Sequence, residues 1–471
     1  MNQSDYMAHD AVGLAALIGK RQVSAAEVVS AALERLQAVN PQLNAVTLDL
    51  GEQALASVRD GAPAGPLGGV PYLIKDLGAQ VAGTPTTAGS RILGTTPAPA
   101  DSAIVSAYRK GGLIIIGKTN TPEFGLEPVT EPTRFGPSRN PWDLERTPGG
   151  SSGGASAAVA GGIVPAAHAS DGGGSIRIPA ACCGLVGMKP SRGRVSFAPA
   201  DEGWGGFSIQ HAVSGSVRDS AALLDLVSTP QAGDPYWRDP PGRPFAAEVG
   251  ADPGVLRIAF STAALAAPAI EPECAEAVRN TATLCESLGH QVDEAALPGD
   301  YASAGAAAGT VIAASVAAML EAEAARRGRP IGEDEVEAVT WATYQRGKGV
   351  SGSSYVQALQ GAHAYGRIVA AFFERYDVLL LATLGSPAIP LGHLRGVPPK
   401  EYAERLFAFM PNTQAFNMTG QPAVSLPLAT SVTGLPIGLQ FVARTGEEDV
   451  LYRLAGQLEE ASPWAGRRPK L

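Results

Sequence analysis

The chain is short of charge, cysteine and basic segments. Charged residues make up 17% of its 471 residues, and the formal net charge is −9. Because nucleic acids and anionic membranes attract basic patches, neither is expected as a partner. The four cysteines are too few for a disulfide framework, and none has the spacing of metal ligands. We therefore expect buried, unreactive thiols, no metal site and a reducing, cytoplasmic location.

Long hydrophobic runs are also missing. The longest apolar stretch, in the region 303–320, consists mostly of Ala and Gly and is followed by Glu321 and Glu323. It is too weakly hydrophobic to predict a membrane span. Residues 1–13 contain acids and no basic segment leading into an apolar one, so no secretory signal is expected. The sequence thus favours a soluble protein without a membrane partner.

Glycine and proline are abundant instead. The 56 glycines and 37 prolines are spread through many short segments, which is typical of a loop-rich globular enzyme.

Strand and helix patterns alternate, and this predicts an α/β fold with a mainly parallel or mixed sheet covered by helices on both faces. We predict a single domain over 1–471, with a catalytic core at about 65–220 and a peripheral, mostly helical region at about 235–375. The predicted elements are helix 24–39, capped by Ser24 and Glu27 and closed by Pro41; strand 68–74; a helix capped by Asp101 and ending at 111–112; strand 113–116; helix 155–161; a strand near 163–164; strands 377–381, 422–427 and 435–442; and helix 448–460.

Two glycine–serine segments carry candidate chemistry, Gly149-Gly-Ser-Ser-Gly-Gly154 and Ser170-Asp-Gly-Gly-Gly-Ser-Ile-Arg-Ile-Pro179. Such glycine runs let backbone approach backbone, or expose N–H groups to an anion. A phosphate loop requires a lysine after its glycines, and none follows either segment. The dinucleotide pattern Gly-x-Gly-x-x-Gly is also absent from a strand–turn–helix setting. The sequence therefore predicts neither a nucleotide nor another cofactor.

Ser175 is the candidate nucleophile. In the segment that starts at Asp171, the N–H groups of Gly172, Gly173, Gly174 and Ser175 can converge into an oxyanion hole. Such donors stabilise charge that develops only in the tetrahedral intermediate of acyl transfer. Tight packing of a helix on a sheet would explain the glycines, but it would not explain the serines placed among them. Taken alone, the segment leaves both interpretations open.

A nucleophilic serine needs a base. His168 is the nearest histidine, but the Gly-x-Ser-x-Gly elbow of the α/β-hydrolases is missing. Lys75 ends an apolar strand beside Asp76, and burial there would lower its pKa and favour the neutral amine. The alternative is an ordinary strand-end lysine whose amine reaches water.

Together these segments resemble the amidase signature family. The resemblance covers about residues 10–465 and implies a mixed sheet of about eleven strands flanked by helices, with a Ser–cisSer–Lys triad. Besides Lys75 and the two glycine–serine segments, it rests on Lys118-Thr-Asn-Thr-Pro-Glu123, Asn140-Pro-Trp142, Phe416-Asn-Met-Thr-Gly-Gln-Pro-Ala423 and Gly434-Leu-Pro-Ile-Gly-Leu-Gln440.

The resemblance assigns roles to single residues. It implies that Ser175 is the nucleophile, that Ser151 bridges after a cis Gly150–Ser151 peptide bond, and that Lys75 is the base of a hydrolase cutting carbon–nitrogen bonds. The four N–H groups named above would form its oxyanion hole. The positions expected to support the loops are Ser152, Asp171 and Arg177.

One departure from the family pattern is visible. The family usually has Thr-Asp-x-Gly-Gly-Ser, whereas here Ser170 and Gly172 occupy the first and third places. A hydroxyl is kept at 170, and Gly172 still offers its N–H group. We therefore expect the chain to be active.

The expected substrate pocket is apolar. A loop that lines the acyl pocket in the family holds Phe124, Gly125 and Leu126 here, without a polar group for a charged substrate end. Packing of Phe124 and Leu126 against the core is the alternative. Trp204 and Phe207, at the glycine-rich loop 201–206, are expected to form the opposite wall.

Within the family, the chain looks most similar to the 6-aminohexanoate-cyclic-dimer hydrolase branch, on stretches 187–194, 333–337 with Trp341, and 463–469. An apolar pocket favours aryl or other apolar amides, aminohexanoate oligomers or carbamates, with esters as further small-molecule substrates. Two alternatives stay open: the glutaminase-type A subunit of a glutamine-dependent amidotransferase complex, and a binding protein that has lost catalysis. The sequence also leaves a homodimer open.

Overall fold

The computed structural model describes residues 1–94, 96–200 and 202–471. Eleven strands in these residues are β1 Val46–Asp49, β2 Pro71–Lys75, β3 Ile114–Thr119, β4 Ala166–Asp171, β5 Val186–Lys189, β6 Ile209–Ser214, β7 Arg257–Phe260, β8 Gln291–Glu294, β9 Val378–Ala382, β10 Ala423–Thr430 and β11 Pro436–Ala443. They form one sheet in the order β1-β3-β2-β4-β6-β5-β10-β11-β9-β7-β8. Both parallel and antiparallel neighbours occur in it. The predicted mixed sheet is confirmed.

Helices cover the sheet, fifteen of them α-helices within the described residues. They are α1 Gln3–Met7, α2 Ala11–Gly19, α3 Ala25–Leu43, α4 Gly51–Ser57, α5 Ala103–Lys110, α6 Gly153–Ala160, α7 Arg177–Cys183, α8 Val217–Val227, α9 Pro272–Ser287, α10 Tyr301–Arg327, α11 Ala338–Lys348, α12 Gly352–Arg375, α13 Pro399–Phe409, α14 Ala415–Thr419 and α15 Glu448–Ala461. The α/β class predicted from the alternating patterns is confirmed.

The sheet brings the candidate base and the glycine loop to one edge. β2 and β4 are parallel neighbours, with Leu73 opposite Ala167. β2 also runs parallel to β3, where Lys75 lies opposite Thr119. Because parallel strands end at the same edge of a sheet, Lys75 at the end of β2 and Asp171 at the end of β4 lie on that edge together.

Helix α3 begins and ends for different reasons. The predicted capping box is present, since Ser24 and Glu27 exchange side-chain to backbone hydrogen bonds. Pro41 does not close the helix, which continues to Leu43. The stop comes from Asn44, whose φ of +47° is left-handed and is tolerated by asparagine.

Two local predictions were wrong. Asp101 does not cap α5; it accepts a hydrogen bond from the Ala82 N–H group and forms a 2.9 Å ion pair with Arg109. The strand expected near 163–164 is a turn, because the Ile163 N–H group bonds back to Ala158 at the end of α6. The strand starts only at β4.

The region 235–375 is mostly helical, as predicted, but it is not wholly peripheral. It contributes β7 and β8, which extend the central sheet beyond β9. Each of these two strands has only four residues. Such short segments carry too little periodicity to be recognised in the sequence.

The four cysteines are buried, as predicted, and all are free thiols. Burial raises the pKa of each thiol. A thiolate is therefore disfavoured at every one of these positions.

Helix α10 packs against Phe207 and Phe124, the two phenylalanines that were expected at the pocket from the sequence. One apolar cluster joins its first half to Phe207. A second cluster joins its later residues, including Val316 and Leu320, to Phe124. The helix is long and apolar enough to cross a membrane by length and composition alone. In the fold it packs against α11, α12 and α14.

Candidate active site

Lys75 is surrounded by hydroxyl groups at the end of β2. Its Nζ atom lies 2.7 Å from Ser151 Oγ and 3.0 Å from both Ser152 Oγ and Ser170 Oγ. The lysine side chain is fully buried. The structure thus places the candidate base in direct contact with the candidate bridging serine, and the retained hydroxyl at Ser170 completes the arrangement.

Lys75 Nζ donates to the oxygens of all three serines. The Ser152 hydroxyl donates to the backbone oxygen of Ser170, so its own oxygen accepts from Lys75. A neutral amine has two N–H donors and one lone pair, so in that form Nζ would donate to two of the three hydroxyl oxygens and accept from the third. Burial lowers the pKa of Lys75 to about 7, although the charge of Asp171 opposes the shift.

Asp76 follows Lys75 in the sequence but does not pair with it. Its carboxylate lies 2.5 Å from Lys118 Nζ and also accepts the Thr87 N–H and O–H groups. Asp76 follows the last residue of β2, and its side chain is taken up by Lys118 and Thr87. Among the described residues, no carboxylate forms an ion pair with Lys75 that would hold it as an ammonium ion.

His168 is excluded as the base by its hydrogen bonds. Its Nδ1 atom accepts the Lys75 backbone N–H at 3.2 Å, and its Nε2 atom lies 3.1 Å from Gln210 Oε1. Because an amide oxygen only accepts, Nε2 carries the proton and the ring is neutral. Burial lowers the pKa of His168 to about 3. In the described part of the chain, no three His, Cys, Asp or Glu side chains come together as metal ligands either.

Ser151 lies in a closely packed turn. The Gly150–Ser151 peptide bond is cis. A Cβ atom added at Gly125, whose φ is +70°, would lie 3.1 Å from Ser151 Oγ. A Cβ atom added at Gly150 would lie 2.6 Å from the Val129 backbone nitrogen. Both glycines are therefore needed for the close approach of these segments around Ser151.

Asp171 and Arg177 form a buried ion pair beneath the glycine loop. Nε and Nη2 of Arg177 each lie 2.9 Å from a carboxylate oxygen of Asp171. Burial alone would raise the pKa of Asp171, but the guanidinium lowers it to about 2. Further hydrogen bonds to this pair come from Thr413, Asn417 and Gln440 and from the N–H groups of Gly174 and Ile176.

The variant Asp171→Asn tests this pair. We expect it to lower the free energy of unfolding by roughly 3–5 kcal/mol, because it leaves the Arg177 charge buried without a partner. Urea denaturation of both proteins measures the change. Asp377→Asn is the matched control, since its ion pair with Arg257 is partly exposed and should cost much less. Equal losses in the two variants would contradict the structural role given to Asp171.

Asp171 also changes the expected oxyanion hole. The Gly174 N–H group donates to Asp171 Oδ1 at 2.7 Å, so it is occupied and the expectation that it binds the oxyanion is corrected. The N–H groups of Gly172, Gly173 and Ser175 have no acceptor among the described residues. These three are the remaining candidate donors.

The Ser175 hydroxyl is half-buried and has no hydrogen-bond partner in the part of the chain that the structure describes. The structure thus joins Lys75 to Ser151 but not Ser151 to Ser175. Catalytic hydrogen bonds often form fully only with substrate bound. A free hydroxyl beside free N–H groups is the arrangement that acyl transfer requires.

Segment 412–417 supports the glycine loop, and no pattern in the sequence predicts this contact. Thr413 Oγ1 donates to the Gly173 backbone oxygen at 2.7 Å, across a sequence separation of 240 residues. Asn417 Nδ2 donates to the Asp171 backbone oxygen at 2.9 Å. Asn417 falls in a motif that the family resemblance used, but no local pattern connects it with Asp171.

The variant Thr413→Val should reduce kcat and lower the free energy of unfolding by about 1 kcal/mol, because the Gly173 carbonyl loses a buried donor. Steady-state kinetics and urea denaturation measure the two effects. Thr383→Val removes a comparable buried hydroxyl bond, to Ser425, away from the loop. An equal fall of kcat in both variants would show that Thr413 has no particular role at the site.

The expected pocket side chains differ in exposure. Phe124 and Phe207 are only 4% and 2% exposed, because each is buried in an apolar cluster with α10. Both side chains therefore pack in the core, and contact of either one with the substrate stays a prediction. Leu126 and Trp204 are half-buried and keep accessible surface. Asp201, which begins the expected wall loop, lies outside the described residues.

Gln414 adds a polar group that the sequence did not reveal. Its Cγ atom would lie 3.9 Å from a Cβ atom added at Gly173. The Tyr301 hydroxyl donates to Gln414 Oε1 at 3.5 Å, which leaves the amide N–H groups as donors beside the glycine loop. The group is neutral, in keeping with an uncharged substrate.

Several known proteins are similar to this chain in sequence and fold. The family model described as Amidase matches residues 27–451. The 6-aminohexanoate-cyclic-dimer hydrolase of Paenarthrobacter ureafaciens is 38% identical over 98% of this chain and 96% of its own length. A solved structure of a 6-aminohexanoate cyclic dimer hydrolase has a TM-score of 0.93 at 37% identity, covering 98% of this chain and 99% of its own. A bacterial aryl acylamidase has a TM-score of 0.88 at 27% identity, with the same coverage of 98% and 99%. The chain therefore belongs to the amidase family and is an amidase signature hydrolase acting on carbon–nitrogen bonds.

Proposed function

We propose that this amidase cleaves uncharged, apolar amides through an acyl-enzyme on Ser175, with Ser151 as proton relay and Lys75 as base. The observation that carries the proposal is the 2.7 Å contact between buried Lys75 Nζ and Ser151 Oγ. Because the pKa of Lys75 is lowered to about 7, much of the amine is neutral at physiological pH. A neutral amine can accept the proton that a serine nucleophile must lose.

Acylation begins when Ser175 Oγ attacks the carbonyl carbon of the amide. Its proton passes to Ser151 Oγ, and the proton of Ser151 passes to Lys75. The carbonyl electron pair moves onto the oxygen, whose negative charge is stabilised by the N–H groups of Gly172, Gly173 and Ser175.

The leaving nitrogen then takes a proton. Lys75 returns it through Ser151 while the carbon–nitrogen bond breaks and the carbonyl reforms on Ser175. Protonation is required because an unprotonated amine anion leaves poorly. Water next attacks the ester by the same relay, which releases the carboxylic acid and restores the three side chains.

The surroundings of the site support an apolar substrate. Leu126 and Trp204 keep accessible surface, whereas Glu127 in the same loop as Leu126 is buried and lies 3.7 Å from Arg395. Burying a charged substrate end without a partner is costly. Two relatives are named for the hydrolysis of an aminohexanoate cyclic dimer and of aryl acylamides, which also supports an apolar substrate. We therefore propose aryl or apolar amides, aminohexanoate oligomers or carbamates as substrates.

A substrate series tests this function. The purified protein is assayed with p-nitroacetanilide, an aryl carbamate, cyclic and linear 6-aminohexanoate dimers, and L-glutamine. The cyclic dimer is uncharged and the linear dimer carries an ammonium and a carboxylate, so we expect a higher kcat/KM for the cyclic form. Ammonia release from glutamine without hydrolysis of any apolar amide would contradict the proposal and favour the glutaminase-type function.

A further inference from the structure

Gly172 occupies the variable third place of the family pattern, and the fold gives a steric reason for a glycine there. A Cβ atom added at Gly172 would lie 2.6 Å from Cζ3 and 2.7 Å from Cε3 of Trp204. The φ angle of Gly172 is not positive, unlike that of Gly174 at +132°, so its backbone does not itself require glycine. The indole ring therefore occupies the space that a side chain at position 172 would take.

Trp204 is held in this position by its own loop. Its φ of +55° is left-handed, and it is followed by Gly205 and Gly206 with φ of +62° and +80°. A Cβ atom added at Gly205 would lie 2.9 Å from Val311 on α10. Arg192 Nε donates to the Gly206 backbone oxygen at 2.5 Å. A loop fixed from both sides presents the indole to the glycine loop in one orientation.

We propose that Gly172 and Trp204 form a matched pair that selects the acyl group of the substrate. The inference rests on the proposed function, since it takes Gly172 as an oxyanion donor beside Ser175. With the indole seated on Gly172, a flat aryl acyl group can stack on the ring next to the reacting carbonyl. The pair thus favours aromatic acyl groups over small aliphatic ones.

A double-mutant cycle tests the pair with two esters that differ only in the acyl group, p-nitrophenyl benzoate and p-nitrophenyl acetate. Trp204→Ala should lower the benzoate-to-acetate ratio of kcat/KM roughly tenfold, through a higher KM for the benzoate. Gly172→Ala should lower kcat for both esters at least tenfold, because its methyl group collides with the indole. The double variant Gly172→Ala/Trp204→Ala should regain most of the kcat lost in Gly172→Ala, because the collision with the indole is gone and only the 3.0 Å contact with Ser208 Oγ remains.

Gly173→Ala provides the matched control. Its added methyl group would meet nothing closer than Gln414 Cγ at 3.9 Å, so its effect should not change when Trp204→Ala is added. Melting temperatures of all variants separate unfolding from changes at the site. The pairing would be overturned if Trp204→Ala left the ratio of the two esters unchanged, or if the double variant did not recover kcat. Hydrolysis of the esters by the wild-type protein would still support the proposed function in that case. Failure of the wild-type protein to hydrolyse either ester would instead contradict the proposed function.

Discussion

Ser175→Ala is expected to lose hydrolysis almost completely, by a factor on the order of 10⁶ in kcat, because no other group can form the acyl-enzyme. Its stability should stay within about 0.5 kcal/mol of wild type. The reason is that the Ser175 hydroxyl makes no hydrogen bond to the described residues. Single-turnover kinetics and urea denaturation measure the two quantities.

Ser156→Ala is the matched control for that variant. Ser156 is a buried serine on α6, and its hydroxyl also lacks a partner among the described residues. It lies outside the proposed relay, so its removal should leave kcat near wild type. Turnover by Ser175→Ala at a rate close to that of Ser156→Ala would refute the nucleophile assignment.

Lys75→Met is expected to reduce kcat by about 10³-fold or more, because the relay then has no base. In the wild-type protein, only the neutral amine accepts a proton, and burial places the pKa of Lys75 at about 7. The value of kcat/KM should therefore fall about tenfold per pH unit below pH 7 and level off above it. A pH–rate profile from pH 5 to 9 measures this, and a flat profile would count against Lys75.

Lys189→Met distinguishes Lys75 from a second buried lysine. Burial also lowers the pKa of Lys189 to about 7, but its Nζ atom bonds the Pro190 backbone oxygen and none of the site hydroxyls. The acid limb of the profile should persist in Lys189→Met. If the acid limb disappeared in Lys189→Met, the group that titrates would be Lys189 and not Lys75.

The sequence predicted the parts of the site that are local. Three glycines before Ser175 indicate free backbone donors by themselves, and the structure leaves three such N–H groups open. The Gly174 N–H group is unavailable to the oxyanion for a local reason as well, since an aspartate side chain commonly bonds an N–H group a few residues later. The position of Asp171 three residues before Gly174 already indicates this competition for the N–H group.

The non-local parts needed the family pattern or the fold. Lys75 and Ser151 are 76 residues apart, and only the alignment of β2 with the turn before α6 makes them neighbours. The bond from Thr413 to Gly173 has no trace in local sequence. Phe124 and Phe207 resemble pocket residues in the sequence, but α10 packs over both and buries them.

In the sheet, too, some strands are predicted by local sequence and others depend on the fold. β9, with five residues, and β11, with eight, are recognisable because every residue in them is buried and nearly all are apolar. β7 and β8 are specified mainly by pairing with β9 and with each other. The Asp101 cap failed because Asp101 forms an ion pair with Arg109 instead.

The central claim is that an acyl group is carried by Ser175 during turnover. The direct measurement is acid quenching of the wild-type protein during hydrolysis of p-nitrophenyl acetate, followed by proteolysis and peptide mass spectrometry. The account predicts an acetyl group on Ser175, which is absent when Ser175→Ala is treated in the same way. An acetyl group on another residue, with Ser175 unmodified throughout turnover, would contradict it.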